Sequence, residues 1–354
     1  MKDLLRIMIF LSIVLIGLFY LDPSINENDV LEAPRTADPL PSEHITDESL
    51  DIDRPLKGIS SYIGKSSDHW IEQYGEPERK EPSAYGYEWW IYNASYVHFT
   101  MVGIKDDKVV QVYAAGAATD ATPYQIGQSL DEIYRFTILE NEVTVKYGAN
   151  VYTFNVTAED MDKRILVKFD GVYAQLYIDS TDRVLEAVRF MDAETLIRHH
   201  PYDMMFSGEL LPIQAPSSTM QQSIDQANAK QIADLVNIYR LRHQSKTLSI
   251  DPQASIVAEA NSEDMARQNF SSEEIEFKDL HARLQEGNIL FKEAAVNTAA
   301  RYYDAAETAH GWINSDIHRK TLLNDQYTET GVGAFGKYYT QIFLEKESVT
   351  AVKQ

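Results

Sequence analysis

The sequence predicts an α+β protein, in which helices and strands share two regions that follow an apolar N-terminal segment. In residues 56–205, short helical patterns alternate with runs of β-branched and aromatic residues that end at turn residues. From residue 228 onward, apolar residues recur at three- and four-residue spacing, which is typical of longer helices. A stretch rich in proline and serine, residues 206–227, predicts a linker between the two regions.

The N-terminal segment predicts a membrane anchor. Lys2 and Arg6 precede an apolar run from Ile7 to Leu21, and acidic residues follow that run. A helix of this length just spans a bilayer core, and no small-residue cleavage pattern follows it. We therefore expect residues 1–21 to be an uncleaved signal anchor, with the bulk of the protein outside the cytoplasm. Secretion is the alternative if the segment is cleaved.

Residues 22–55 predict a disordered linker between the anchor and the first region. They contain five prolines and many acidic residues, and no apolar period continues through them. Such composition does not bury enough apolar surface to offset the entropy of ordering the chain. We expect a flexible tether here.

The charge and the cysteine count exclude several functions. The formal net charge is −22, with 54 acidic residues against 32 basic ones, so nucleic acid is not an expected partner. The chain has no cysteine, which excludes a disulfide framework, a thiolate metal site and a cysteine nucleophile.

The first region contains an internal repeat. The sequence Ile63-Gly64-Lys65-Ser66 recurs as Ile126-Gly127-Gln128-Ser129, and each copy opens a short helical pattern that strands follow. Ser129 and Glu132 have the spacing of a capping box. We predict a domain of two α+β repeats over residues 56–205, with strands at 87–92, 97–104, 108–113, 143–147, 151–156, 165–169, 172–178 and 184–190.

Aromatic residues are concentrated in the first repeat, where Trp89 and Trp90 stand among several tyrosines. A carbohydrate platform or a peptide groove would use such side chains. Aromatic and β-branched residues that alternate through strands more often form a core and cross-strand pairs, and we interpret them as core.

Three motifs in the second region carry a family resemblance. They are S-I-D-P-Q-A-S-I-V-A-E-A-N-S-E-D-M (Ser249–Met265), W-I-N-S-D-I-H-R (Trp312–Arg319) and G-V-G-A-F-G-K-Y-Y-T-Q-I-F (Gly331–Phe343). In this order, they resemble the motifs of the CAP superfamily, which comprises cysteine-rich secretory, antigen 5 and pathogenesis-related proteins. The resemblance covers residues 228–347 and implies an α/β/α sandwich. Residues 56–205 resemble the domain that accompanies CAP domains in Bacillus-type bacteria.

The resemblance also implies a cleft in which two histidines and two glutamates can hold a divalent cation. In this chain, Glu273 stands near the first histidine position, Val296 at the first glutamate position and Ser315 at the second. Of the four ligands, only His318 is retained. Together with Asn297, these residues are the predicted cleft lining, and no metal or other cofactor is predicted because too few ligands remain.

Two other kinds of chemistry could use the same histidine. Glu307, His310 and His318 could share a helix face and hold a metal, with His281 as a further ligand. Ser315 and His318 with nearby acids are the candidate catalytic residues of an envelope hydrolase, and Glu273 is the third candidate.

A third alternative is binding of a lipid or a small amphiphile. Phe277, Leu280, Leu284 and Phe291 would line an apolar groove or fill a core, and we interpret them as core. The prediction that we favour is a noncatalytic binding or scaffolding protein of the cell envelope, whose partner is an envelope protein, a wall polymer or a lipid.

Overall fold

The computed structural model describes residues 24–42, 45, 52–212, 214–268 and 280–346. The predicted anchor, residues 1–21, lies outside these residues. Among the helices that the structure describes, none is long and apolar enough to cross a bilayer. The described residues form a mixed α+β structure, as the sequence predicts.

Strands and helices alternate along most of the described chain. The strands are β1 (Ser24–Glu27), β2 (Leu31–Glu32), β3 (Leu40–Pro41), β4 (Arg79–Pro82), β5 (Glu88–Tyr92), β6 (Thr100–Lys105), β7 (Lys108–Ala114), β8 (Glu142–Tyr147), β9 (Asn150–Asn155), β10 (Arg164–Phe169), β11 (Val172–Asp179), β12 (Val184–Met191), β13 (Asp203–Ser207), β14 (Ser249–Ile250), β15 (Glu293–Ala300), β16 (Glu329–Phe335) and β17 (Tyr338–Glu345). The helices are α1 (Ser67–Tyr74), α2 (Leu130–Phe136), α3 (Ala158–Lys163), α4 (Ala193–His199), α5 (Ser218–Arg242), α6 (Pro252–Arg267), α7 (Leu280–Glu286), α8 (Ala305–Ile313) and α9 (Asp316–Leu322).

The first region is built on one antiparallel sheet of seven strands, in the order β10-β11-β12-β7-β6-β5-β4. A smaller sheet, in the order β3-β13-β9-β8, packs beside it. All eight predicted strands are confirmed, with ends that move by up to three residues. The strand predicted from residue 97 begins only at Thr100, because a 3-10 turn at Tyr96–His98 precedes it.

The repeated tetrapeptides have the same role in both halves. Ser66 caps α1 by accepting a hydrogen bond from the backbone of Asp68, and Ser129 caps α2 in the same way through Glu132. The glycine two residues before each capping serine, Gly64 or Gly127, has a positive φ of 83° or 88°, and its backbone nitrogen donates to a carbonyl at the start of β7 or β12. Each repeat therefore fixes one helix to one central strand.

The two faces of the seven-stranded sheet pack against different partners. Successive side chains of a strand point to opposite faces, and Trp89 and Trp90 show the split. Trp90 joins a core with α1 and α2, whereas Trp89 joins a core that includes residues of α5 and α8. Both tryptophans are buried, which confirms the interpretation of these aromatic residues as core.

The second region is a three-layer α/β/α sandwich. Its sheet has the order β1-β15-β17-β16-β14, and β2 also pairs with β15. Helices α5, α8 and α9 pack on the face to which Ala295 and Ala299 belong. Helices α6 and α7 pack on the other face, with Ala294 and Val296.

The disordered linker predicted for residues 22–55 is wrong for residues 24–42. Strand β1 pairs in parallel with β15, from Ser24 opposite Glu293 to Glu27 opposite Val296. Strand β2 continues along β15, and β3 joins the first region by pairing with β13. The open edge of β15 supplies backbone partners, and this tertiary contact cannot be seen in the composition of the segment.

The predicted linker over residues 206–227 is also too long. Ser217 caps α5, which already begins at Ser218, so only residues 208–217 connect the two regions. The serines and the threonine that suggested a loop are the start of a helix, which is where these residues are favoured. One hydrophobic core then joins the regions, with Tyr113 and Tyr177 on one side and Leu235 and Trp312 on the other.

Candidate functional site

His318 is buried in α9, and both of its ring nitrogens are hydrogen-bonded. Nδ1 lies 2.8 Å from the hydroxyl oxygen of Ser315, and Nε2 lies 2.8 Å from the backbone carbonyl oxygen of Asp29. A carbonyl only accepts hydrogen bonds, so Nε2 carries the proton and Nδ1 accepts from Ser315. Burial lowers the pKa of His318 below its usual value, which keeps the ring neutral.

The N-terminal segment forms further hydrogen bonds at this place. The side-chain amide of Asn28 donates to the side-chain oxygen of Asn297 at 2.8 Å and lies 2.9 Å from the hydroxyl of Thr321. Asn297 in turn donates to the backbone carbonyl of His318 at 3.0 Å. We call the residues Asn28, Asn297, Ser315, His318 and Thr321 the β15 edge site.

The structure divides the predicted cleft lining between the two faces of the sheet. Asn297, Ser315 and His318 lie together on the side of α9. Val296 points the opposite way and packs in the core of α6 and α7. The predicted convergence of Val296 with His318 is therefore wrong, because adjacent residues of a strand face opposite sides. Glu273 lies outside the described residues.

The apolar residues that could line an amphiphile groove fill this same core. Leu280, Leu284 and Phe291 are each no more than 5% exposed and pack with Val296. This confirms their interpretation as core residues. Phe277 lies outside the described residues.

The alternative metal face of Glu307, His310 and His318 does not form. The helix ends at Ile313, and Ser315 has extended backbone angles before α9 begins, so His318 leaves the face on which Glu307 and His310 lie. His310 is buried against the first region, where Nε2 lies 3.1 Å from the carbonyl oxygen of Lys163. Burial lowers the pKa of His310 to about 4. The side chain of His281 lies outside the described part of the chain.

Glu307 lies instead at the centre of a buried polar cluster between the two regions. Its carboxylate accepts hydrogen bonds from Tyr303 at 2.7 Å, from Tyr177 at 2.8 Å and from Gln175 at 3.0 Å, and Arg164 lies 3.3 Å away. Burial opposes ionisation, but the neighbouring arginines outweigh it and lower the pKa of Glu307. The group is a structural anion that holds the two regions together.

A second ionic cluster was not predicted from the sequence. Asp179, Glu186 and His243 place three potential metal-ligand atoms within 4.8 Å of one another. Arg319 lies 2.7 Å from Asp179 and Arg242 lies 2.6 Å from Glu186, so arginines already supply the positive charge. The signal in the sequence was the alternation of polar and apolar residues in β11, from Tyr173 to Asp179, which also fits a solvated face.

Comparison with known proteins decides the family. The model of the cysteine-rich secretory protein family matches residues 233–343, and the model of the CAP-associated N-terminal domain matches residues 63–202. The membrane protein YlbC of Bacillus subtilis (strain 168) is 36% identical over 353 residues, which cover 98% of this chain and 100% of YlbC. The chain belongs to the CAP family.

Other CAP relatives match over different parts of the chain. YkwD of the same organism is 32% identical over 133 residues, which cover 37% of this chain and 52% of YkwD. A crystal structure of an extracellular protein containing an SCP domain from Bacillus anthracis str. Ames matches with a TM-score of 0.77 and 37% identity. It covers 86% of this chain and 100% of that protein.

A second solved CAP structure supports the same architecture. The cysteine-rich secretory protein SAV1118 of Staphylococcus aureus subsp. aureus Mu50 has a TM-score of 0.75 and 26% identity, covering 90% of this chain and 98% of that one. Each of these two structures covers 86% or more of this chain, a share that is too large to leave out either the repeat region or the CAP domain. The resemblance carried by the three sequence motifs and by the repeat is confirmed.

Proposed function

We propose that this CAP protein is a membrane-anchored, extracytoplasmic binding or scaffolding protein of the cell envelope, and that its CAP domain is noncatalytic. The apolar segment 1–21 supports the anchor. The full-length relative YlbC is named a membrane protein, and the relative from Bacillus anthracis is described as extracellular.

The arrangement of His318 is the observation that carries the noncatalytic assignment. The ring is 1% exposed, and each nitrogen already has a hydrogen-bond partner inside the protein. A metal ion would have to displace Ser315 or Asp29, and the two glutamate positions of the family hold Val296 and Ser315. Zinc in proteins needs three or four ligands that converge, and these residues do not supply them.

One observation favours a hydrolase as the second candidate. The hydroxyl of Ser315 donates to the neutral ring of His318, which is the relation of a serine nucleophile to its general base. The other ring nitrogen donates to the carbonyl of Asp29 rather than to a carboxylate. A carbonyl orients the ring but supplies less stabilisation for the imidazolium that forms during catalysis.

A fluorophosphonate probe distinguishes the two candidates. We expect no labelling when the full chain in detergent micelles is treated with the probe, since the Ser315–His318 pair lies beneath the N-terminal segment. The Ser315→Ala variant is the matched control. Stoichiometric labelling of the natural protein that is lost both in Ser315→Ala and in His318→Gln would overturn the noncatalytic assignment.

A topology experiment tests the anchor. Protease added to intact cells should remove nearly all of the protein, and the protein should sediment with membranes. Recovery of the full-length chain in the cytosolic fraction would contradict the proposed location.

A further inference from the structure

Residues 24–33 lie along the open edge of β15 in an extended conformation. β1 and β2 both run parallel to β15, with Ile25 opposite Ala294 and Leu31 opposite Ala299. Between the two strands, the backbone nitrogen of Asn28 donates to the carbonyl oxygen of Val296 at 3.2 Å. After β2, the backbone nitrogen of Ala33 donates to the carbonyl oxygen of Ala300 at 2.9 Å. This is the geometry in which domains bind an extended peptide by adding a strand to a sheet.

Three side chains of the segment are anchored at a regular spacing. Ile25 packs against the core of α6 and α7, and Leu31 packs against the core that joins α5, α8 and α9. Midway between them, Asn28 makes its hydrogen bonds to Asn297 and Thr321. Asn26 is exposed. The site therefore binds an apolar residue, an asparagine three residues later and a second apolar residue three residues after that.

The segment is a weak ligand that its own tether keeps in place. β1 contains four residues and β2 contains two, and pairings of this length are marginal in isolation. Because the segment belongs to the same chain, its binding is intramolecular, and the effective concentration is on the order of millimolar. A partner strand with the same anchors and more contacts can replace it.

We propose that the outer edge of β15, together with α9, is a strand-binding site that takes an extended polypeptide segment of another envelope protein in place of residues 24–33. The partner would present asparagine three residues after one apolar residue and three residues before another. The inference rests on the proposed binding function and specifies the chemical class of its partner.

The test uses the resident sequence as the probe. A fluorescent ten-residue peptide, Ser-Ile-Asn-Glu-Asn-Asp-Val-Leu-Glu-Ala, is titrated into the full chain in detergent micelles. Asn28→Ala removes the central anchor of the resident segment and should strengthen peptide binding about tenfold relative to the natural protein, as expected for the loss of one or two hydrogen bonds. Asn26→Ala, on the exposed face of the same strand, should bind the peptide as the natural protein does.

Two further measurements make the result specific. A peptide with alanine in place of the asparagine that corresponds to Asn28 should bind about tenfold more weakly, because it lacks the same hydrogen bonds. The chain has no cysteine, so Asn28→Cys with Thr321→Cys gives a unique pair of thiols. Before cross-linking, this variant should still bind the peptide, although more weakly than Asn28→Ala does, because Thr321 is also a hydrogen-bond partner of the bound asparagine. Closure by a short thiol cross-linker should abolish that binding.

The outcomes separate this inference from the noncatalytic assignment. Absence of peptide binding to Asn28→Ala and to the uncross-linked cysteine variant, when both unfold thermally like the natural protein, would overturn the strand-binding site. Binding that the cross-linker does not block would overturn it as well. Probe labelling of Ser315 would overturn the noncatalytic assignment and leave the peptide result unaffected.

Discussion

Glu307 shows how a single residue joins the two regions of the molecule. It belongs to α8 of the CAP domain, but Arg164, Gln175 and Tyr177, which contact its carboxylate, belong to the first region. Removing one partner of a buried ion pair leaves the other charge without compensation, so such a group is costly to change.

We expect Glu307→Gln to lower the free energy of unfolding by about 2 to 3 kcal/mol, because the charge-assisted hydrogen bonds to the carboxylate are lost. Urea denaturation followed by circular dichroism measures the change. Glu159→Gln is the control, since Glu159 forms an exposed pair with Lys163 at 2.8 Å and should change stability by less than about 0.5 kcal/mol. Equal effects of the two substitutions would contradict the buried role of Glu307.

The pH dependence of this difference has a definite sign. The folded-state pKa of Glu307 lies below its ordinary value of 4.5, so the ionised carboxylate stabilises the folded state above that pH. The stability difference between the natural protein and Glu307→Gln should be constant near neutral pH. It should shrink as the pH falls below about 4.5 and through the folded-state pKa. Denaturation at several pH values checks this, and a difference that grows in acid would contradict it.

Sequence reasoning could name the site residues but not their partners. Ser315 and His318 are three residues apart and contact each other within one turn of chain, so their spacing in the sequence is enough to place them together. The contact of His318 with Asp29 joins positions 289 residues apart and depends on the pairing of β1 with β15. The placement of Val296 failed for a simpler reason, since a motif alignment assigns positions without assigning the face of the strand.

At the scale of elements, strand β16 contains two of the three glycines of its motif, and the structure shows why both are needed. A methyl group at Gly333 would lie 2.0 Å from the backbone nitrogen of Glu259, and one at Gly331 would lie 2.2 Å from the backbone carbon of Ala254. Helix α6 therefore packs directly on the backbone of β16, and a side chain at either position would push the two elements apart.

We expect Gly333→Ala to destabilise the fold by about 3 kcal/mol or more, because the clash is with backbone that cannot rotate away. The melting temperature measures the loss. Gly287→Ala is the matched control, since the nearest atom to its methyl group is the flexible end of Ile289 at 3.3 Å. If Gly333→Ala had the same melting temperature as the natural protein, α6 would not pack directly on the backbone of β16.

The elements that the sequence predicted are those with strong local signals. The strands of the first region carry alternating apolar residues and turn residues, and α6 begins at Asp251-Pro252, which is a strong helix start. Strands β1, β2 and β3 carry no such signal because they are short and acidic residues surround them. They are strands only because β15 and β13 are present to pair with them.

At the scale of the whole molecule, the two regions behave as one folded unit. The hydrophobic core that includes Tyr113, Tyr177, Leu235 and Trp312 crosses the boundary between them. The ion pair of Arg189 and Asp304, at 2.6 Å, is buried in the same interface. The two regions of the sequence correspond to the two matched family models. The change in composition at the linker did not show that the CAP domain covers one face of the seven-stranded sheet.

We expect a cut in the connection to leave the two halves associated. A site-specific protease sequence inserted between Gln214 and Ala215, which are both exposed, allows cleavage without loss of a buried contact. The cleaved protein should elute from gel filtration as one species and separate only in denaturant. Two folded fragments that elute separately under native conditions would show that the interface does not hold the regions together.

The position of β1 also sets how far the protein can reach. Only residues 22 and 23 separate the proposed anchor from Ser24, so pairing with β15 holds the CAP domain within roughly 10 Å of the lipid surface. If the segment leaves β15 and β13, the chain from residue 22 to Ile52, whose backbone carbonyl accepts a hydrogen bond from Asp170, can extend over roughly 100 Å. A partner strand that takes the place of residues 24–33 would thus replace a short connection to the membrane by a long one. The folded part of the molecule would then reach sites far from its membrane.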